Sequence, residues 1–156
     1  MSEATPILHM LTPDKHMSPF DVNMAADAGY KVIVPYVNTE QSEVTALVQD
    51  AIFSRPPDDG VRTGVFIGGK NAIVALDMMA AAREALVPPF QLSTFADPAG
   101  SFTTAAAMVA CVEKVLRTKF DTDFAGKQVA VFGATGVVGF ASSVIAAQLG
   151  AKVLLV

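Results

Sequence analysis

The sequence has little cysteine and little charge, and each shortage argues against a class of protein. The single cysteine, Cys111, cannot form an internal disulfide, which indicates a reducing, cytoplasmic setting, and its apolar neighbours predict that it is buried. Charged residues make up 17% of the chain and the net charge is −4, so we expect neither nucleic acid nor an anionic membrane as a partner. No His, Cys, Asp or Glu residues have metal-ligand spacing, so no metal site is expected.

Long apolar runs are also missing. No uninterrupted run approaches the ~20 residues that a bilayer span requires, so we expect no membrane-spanning helix. Residues 1–5 lack a basic segment, so we expect no secretory signal.

Short apolar segments are abundant, and they alternate between strand-like and helix-like patterns. Strands are predicted over residues 7–11, 30–36, 63–67, 90–95, 128–132 and 152–156. Helices are predicted between Ser18 and Gly29 and over residues 44–53, 72–86, 103–116 and 137–149. This alternation predicts parallel strands in an α/β fold.

Local signals predict where helices begin and where a domain ends. Asn71 and Ser101 are the predicted caps of the third and fourth helices, and Thr39 or Ser42 is the predicted cap of the second. The polar stretch 118–127, with Gly126, marks the predicted boundary between domains 1–122 and 123–156.

The most specific motif follows the fifth strand, at Gly133, Ala134, Thr135, Gly136, Val137, Val138 and Gly139. A glycine turn between a strand and a helix is typical of dinucleotide binding, because the backbone can approach a pyrophosphate that free helix N–H groups hold. The spacing is G-x-x-G-x-x-G, or G-x-G-x-x-G with Ala134 in the first position. We predict that these seven residues bind NAD or NADP, with a purely structural turn as the alternative.

The residue that distinguishes NAD from NADP normally follows the next strand. That strand ends at Val156, the last residue of the sequence. We therefore expect the chain to be a fragment that lacks the rest of its nucleotide-binding domain.

Three further segments, read together with the glycine turn, carry a resemblance to a known family. They are ILHMLTPDKHMSPFDVNMA at 7–25, RTGVFIGGKNA at 62–72 and FADPAGSFTT at 95–104. The chain resembles the methylene-tetrahydromethanopterin dehydrogenases of methylotrophic bacteria, in particular the NAD(P)-dependent form. The resemblance implies an N-terminal α/β domain for the pterin carrier, followed by the first βαβ unit of a Rossmann domain for the nicotinamide.

The activity implied by the resemblance is hydride transfer from methylene-tetrahydromethanopterin to NAD or NADP, which leaves a methenyl cation on the carrier. The protein then has to align two carbon atoms and stabilise a developing positive charge. Methylene-tetrahydrofolate stays open as an alternative carrier, and a non-catalytic pterin-binding module stays open as an alternative function. We also expect a homo-oligomer.

Candidate catalytic residues follow predicted strands, because ligands of open α/β sheets bind at the carboxyl ends of strands. Asp97 is the predicted anion that stabilises the cation, and an Asp-Pro turn is its structural alternative. His16 is predicted to hydrogen-bond the pterin, with a solvent-exposed loop position as its alternative.

Four further residues, Lys15, Gly69, Ser101 and Thr103, are predicted to bind the substrate. The structural alternative is a surface charge for Lys15, a βα turn for Gly69, a helix cap for Ser101, and a core or capping role for Thr103. His9 is expected in the core, and Asp21 is expected to interact with a helix dipole.

Overall fold

The computed structural model describes residues 4–156 and has an α/β fold, which confirms the predicted class. The chain divides into two compact units, Met1–Ala99 and Gly100–Val156. The long fourth helix packs against the fifth helix and so groups with the second unit. The domain boundary predicted between residues 122 and 123 stays a prediction.

The first unit alternates strands and helices. Its elements are β1 (Ile7–Leu11), α1 (Pro19–Asp27), β2 (Val32–Tyr36), α2 (Gln41–Phe53), a 3₁₀ turn (Pro57–Arg62), β3 (Thr63–Ile67), α3 (Ala72–Glu84), β4 (Ser93–Ala96) and a second 3₁₀ turn at Pro98–Gly100, which runs into the second unit. The predicted strands at 7–11 and 63–67 are confirmed residue for residue.

Within the described residues these strands form one parallel sheet in the order β2–β1–β3–β4. Ile7 of β1 lies opposite Val32 on one side and opposite Thr63 on the other. Gly64 of β3 lies opposite Ser93 of β4. All carboxyl ends of the strands therefore meet at one edge of the sheet.

Apolar side chains pack on both faces of this sheet. Leu8 and Met10 of β1 form a buried cluster with Met17 and Ala25, which places α1 on their face. Because side chains alternate along a strand, Leu11 faces the opposite side. Helices α2 and α3 pack against one another, and α3 also contacts β3 and β4.

The second unit contains α4 (Ser101–Phe120), β5 (Gln128–Val131), α5 (Val137–Gln148) and β6 (Lys152–Leu155). Strands β5 and β6 pair in parallel, with Val129 opposite Val153. Val109, Phe124 and Ala146 form its buried cluster. The predicted βαβ unit after residue 127 is therefore present.

The cap of α2 was predicted wrongly. Glu40 is the N-cap, and its N–H donates to Glu43 Oε2 at 2.8 Å in a reciprocal capping box. The hydroxyl of Thr39 donates instead to the carbonyl of Tyr36. Ser42 lies inside the helix, one residue after its start.

The cap of α4 was also predicted wrongly, whereas that of α3 is confirmed. Ser101 is the first residue of α4, and the preceding Gly100 is its N-cap, with a left-handed φ of 63°. Asn71 caps α3, because its side-chain oxygen accepts the N–H groups of Ile73 and Val74.

Two expectations about the fourth helix need correction. Cys111 is exposed, because the buried face of α4 carries Ala105 and Val109, and a residue two positions further on points away from that face.

Among the described residues, one helical segment, Pro98–Phe120, is long and apolar enough to cross a membrane by length and composition alone. The expectation of no membrane-spanning helix considered only uninterrupted apolar runs, whereas this segment includes polar residues and is apolar on average. Helices in the interior of a domain meet the same criteria.

Candidate functional site

The strand order of the first unit creates a crevice at the carboxyl end of its sheet. The chain passes from β1 to β2 on one side, then returns to β3 on the other side of β1. Successive connections therefore leave the sheet in opposite directions between β1 and β3. In open α/β sheets, ligands bind at this topological switch point.

Backbone hydrogen bonds fix the loop that follows β1. The N–H of Asp14 donates to Thr12 Oγ1 at 3.2 Å, and the carbonyl of Asp14 accepts the N–H of Asn38 at 2.9 Å. The N–H of Thr39 donates to the carbonyl of Thr12 at 3.0 Å. The loop after β1 is thus tied to the loop after β2, and its side chains are held at the crevice.

A cleft of about 320 Å³ lies at this switch point. Its walls come from the loop after β1, the first turn of α1, the turn after β3 and the segment after β4. The residues that line it are Asp14, His16, Met17, Ser18, Pro19, Asp21, Gly69, Lys70 and Ala99. This volume and this mixture of charged and apolar side chains suit part of a small-molecule ligand.

The turn after β3 brings its backbone close to the first turn of α1. A Cβ atom at Gly68 would lie 3.5 Å from Asp21 Oδ2 and 3.5 Å from Met17 Sδ. Gly69 has a φ of +115°, a conformation that side-chain-bearing residues rarely adopt. The two glycines therefore let this turn bend tightly beside Asp21 without a side chain filling the space.

Two aspartates, Asp21 and Asp97, lie near this cleft. Asp21, in the first turn of α1, is half-buried and lines the cleft. Asp97 directly follows β4 and is buried, with its N–H donating to the carbonyl of Ile67 at 3.1 Å. Burial first, and the nearby Asp97 charge second, raise the pKa of Asp21 above its ordinary value.

The predicted substrate residues of the first unit occupy different positions. His16 and Gly69 line the cleft. Lys15 lines a neighbouring, more apolar groove of about 430 Å³, which shares His16, Met17 and Pro19 with the cleft. Asp97 is not one of the described residues that line either space.

Ser101 and Thr103 lie in the first turn of α4, in the second unit. The Thr103 hydroxyl donates to the carbonyl of Gly100 at 3.4 Å. The Ser101 hydroxyl is buried and has no hydrogen-bond partner among residues 4–156. Ligand binding by these two residues stays a prediction.

Sequence reasoning missed part of the cleft. Asp14 lines it, and so does Asp21, which was expected only to interact with a helix dipole. Each follows or opens a predicted element, but the pattern does not say which loops become neighbours. The strand order supplies that information.

His9 lies in the middle of β1 and is half-buried. Its Nδ1 lies 3.1 Å from the hydroxyl of Tyr36. Burial first, and the Arg55 charge second, lower the pKa of His9. The expectation of a hydrogen-bonded core histidine therefore agrees with its surroundings.

The glycine turn of the second unit connects β5 to α5. Gly133 has a φ of +72°, and its N–H donates to the carbonyl of Val156 at 2.9 Å. Gly136 is the N-cap of α5, and its N–H donates to the carbonyl of Gly133 at 3.0 Å. A Cβ atom at Gly139 would overlap the Gly133 carbonyl oxygen and lie 3.0 Å from Ala134 Cα. The turn therefore folds directly over the first turn of α5.

This turn fits the pyrophosphate of a dinucleotide. Helix geometry leaves the N–H groups of Val137, Val138 and Gly139 without intrahelical acceptors. A Cβ atom at Gly133 would meet nothing within 4 Å, so the surface of the turn is open. Anions bind at such helix N-termini through free N–H groups and the helix dipole.

No group of three or more His, Cys, Asp or Glu side chains within residues 4–156 could hold a metal ion.

One family model and two curated proteins are similar in sequence to this chain. The family model described as methylene-tetrahydromethanopterin dehydrogenase, N-terminal, matches residues 19–99. The NAD(P)-dependent methylenetetrahydromethanopterin dehydrogenase of Methylorubrum extorquens is 59% identical over 153 residues, which cover 98% of this chain and 52% of that protein. The bifunctional protein MdtA of the same bacterium is 33% identical over 108 residues, 69% of this chain and 38% of that protein. The chain spans about half the length, or less, of these curated relatives.

Among solved structures, the NAD⁺-bound 3-phosphoglycerate dehydrogenase of Entamoeba histolytica aligns with 98% of this chain and 54% of its own, at a TM-score of 0.33 and 15% identity. The family model matches just over half of the chain, and the predicted resemblance is thereby confirmed. The chain belongs to the methylene-tetrahydromethanopterin dehydrogenase family and contains its N-terminal domain.

Proposed function

We propose that the protein carrying this chain is an NAD(P)-dependent methylene-tetrahydromethanopterin dehydrogenase. The reaction moves a hydride from the methylene bridge of the carrier to NAD or NADP and produces the methenyl carrier. The observation that carries this proposal is the open glycine turn on α5, in a chain whose other unit has the family's N-terminal domain. The identity of 59% to a dehydrogenase of that name supports it.

The first unit supplies the carrier site in this proposal. His16, Gly69 and Lys70 lie on the walls of the switch-point cleft, where a pterin ring would be held. Lys15 lies in the adjoining apolar groove, which suits the rest of an extended carrier. No proton has to move during hydride transfer, so the task of these residues is orientation and charge stabilisation.

The second unit supplies the dinucleotide site. The N–H groups of Val137, Val138 and Gly139 would hold the pyrophosphate, and Gly133 and Gly136 keep side chains out of its path. Ala134 and Thr135 complete the turn. The nicotinamide ring supplies the hydride acceptor when the cofactor is bound.

Hydride transfer and binding can be tested with the same preparation. The protein is titrated with NAD and NADP, and dehydrogenation is then followed with methylene-tetrahydromethanopterin and with methylene-tetrahydrofolate. Binding of either dinucleotide and faster turnover of the methanopterin carrier are expected. Absence of dinucleotide binding, or turnover of the folate carrier alone, contradicts the proposal.

The quaternary state and location belong to the same proposal. Met108, Val112 and Val115 form an exposed apolar row at helical spacing along α4, which favours self-association. We expect a homo-oligomer in the cytoplasm that takes a small pterin and neither nucleic acid nor membrane as partner. Light scattering of the purified protein measures the oligomeric state, and a monomer would contradict the expected homo-oligomer. Fractionation of cells measures the location, and recovery with the membrane fraction would contradict the expected cytoplasmic location.

A further inference from the structure

The two carboxyl groups near the cleft are placed differently. Asp21 lines the cleft, together with Asp14, His16 and Lys70 from the loops after β1 and β3. Asp97 is 7% exposed, and its N–H donates to the carbonyl of Ile67. The next residue, Gly68, lies beside the Asp21 carboxylate, so Asp97 and Asp21 flank the same turn. The sequence singled out Asp97 as the anion that faces the substrate, but the structure gives Asp21 the accessible position.

We infer that Asp21 is the carboxylate that contacts the cationic centre of the methenyl carrier, and that buried Asp97 is a positioning residue acting through it. This inference rests on the proposed function and extends it to one side chain.

A structural role does not account for Asp21. It occupies the first turn of α1, but its carboxylate accepts no hydrogen bond from any of the described residues, and Ser18 makes no side-chain cap either. The helix dipole stabilises an exposed carboxylate near a helix N-terminus. Burial and the adjacent Asp97 oppose this contribution, as the raised pKa of Asp21 shows.

The same arrangement favours one charge state of the ligand. Burial and Asp97 disfavour the charged form of Asp21, and Lys70 is the only lysine or arginine among the residues described as lining the cleft. A cation placed against Asp21 relieves the repulsion between the two carboxylates. The stabilisation therefore grows as positive charge develops on the carrier, which is the requirement for accelerating hydride departure.

Asp21→Asn tests the contact, and Asp27→Asn is the matched control, because Asp27 is an exposed aspartate at the end of the same helix. Each variant is titrated with methylene-tetrahydromethanopterin, whose bridge is uncharged, and with the cationic methenyl form. Asp21→Asn is expected to weaken methenyl binding roughly 10- to 100-fold, the range for losing a hydrogen bond or contact with a charged group. Methylene binding should change less than about 3-fold, and Asp27→Asn should change neither.

Asp97→Asn tests the positioning role through the pH dependence of methenyl binding. Removing the Asp97 charge lowers the pKa of Asp21, so the acidic limb of the binding profile should move to lower pH. Asp14, His16 and Lys70, which face the same cleft, are unchanged in this variant. If Asp97 had a purely structural role, Asp97→Asn would lower the thermal stability but would not move the acidic limb of the binding profile.

The outcomes separate the inference from the proposed function. Equal losses for both carrier forms in Asp21→Asn, or no loss, overturn the role of Asp21. An acidic limb that does not move in Asp97→Asn overturns the role of Asp97. If Asp97→Asn fails to fold, Asp21→Asn still decides the contact, because Asp21 is only half-buried. A wild-type protein that binds neither carrier refutes the proposed function itself.

Discussion

Replacing Gly139 by alanine tests the dinucleotide site most directly. The added methyl group would overlap the carbonyl oxygen of Gly133 and lie 3.0 Å from Ala134 Cα. Both neighbours are backbone atoms, so neither can rotate away as a side chain does. Relief requires a shift of the turn, and comparable overpacking costs about 1–3 kcal/mol. For a protein of this size such a loss lowers Tm by roughly 2–12 °C.

The effect on binding should exceed the effect on stability. The turn would have to move by on the order of 1 Å, and displacements of that size in a positioned site cost about 100-fold. We therefore expect Gly139→Ala to raise the Kd for NAD or NADP about 100-fold in a fluorescence or calorimetric titration. Binding of the pterin carrier should be unchanged, since that cleft lies in the first unit.

Gly126→Ala is the matched control for Gly139→Ala. Gly126 has a φ of +71°, so alanine is strained there, but its Cβ would meet nothing within 4 Å. This variant should lose about 1–2 kcal/mol of stability, the cost of a left-handed residue, and keep its dinucleotide affinity. If Gly139→Ala binds dinucleotide as tightly as wild type, or if both variants lose affinity equally, the assignment of the turn is refuted.

Three further predictions concern the fold. Asn71→Ala removes the two hydrogen bonds that cap α3 and should lower the free energy of unfolding by about 1 kcal/mol in urea titration. The pKa of His9 is lowered below 6.5 in the folded state, so folding favours the neutral imidazole. The stability that neutral His9 contributes is present above pH 6.5 and is lost as the pH falls below that value. The free energy of unfolding of His9→Gln should therefore depend less on pH in that window than that of the wild type. Cys111 should react with a thiol reagent in the native protein about as fast as in the unfolded protein, and a protected thiol would show that α4 is covered in solution.

The sequence predicts features that depend on neighbouring residues along the chain. The strand at Thr63–Ile67 and the cap at Asn71 are confirmed, since hydrophobic periodicity and side-chain capping act within a few residues. Ser101 was a wrong cap because two successive left-handed residues, Ala99 and Gly100, start α4 one residue earlier than the capping pattern implies. No local signal reveals those backbone conformations.

The cleft could not be predicted in the same way, because it depends on which strands are neighbours. Asp14, Asp21 and Lys70 are separated along the chain and meet only because β3 lies beside β1 on the side opposite β2. The alternating pattern is compatible with other strand orders. The end of the sheet at which ligands bind was predictable, but the set of side chains there was not.

Under the proposed function, the two units bind ligands of opposite charge. In the first unit, Asp21 lines the cleft, and the inferred contact places the cationic carrier against its carboxylate. In the second, the first turn of α5 presents free N–H groups at the positive end of a helix, where an anion is stabilised. A neutral substitution at Asp21 should therefore weaken the cationic carrier alone, and a displaced glycine turn should weaken the anionic dinucleotide alone. Because each substitution is expected to affect one ligand, the two proposed sites can be assigned independently.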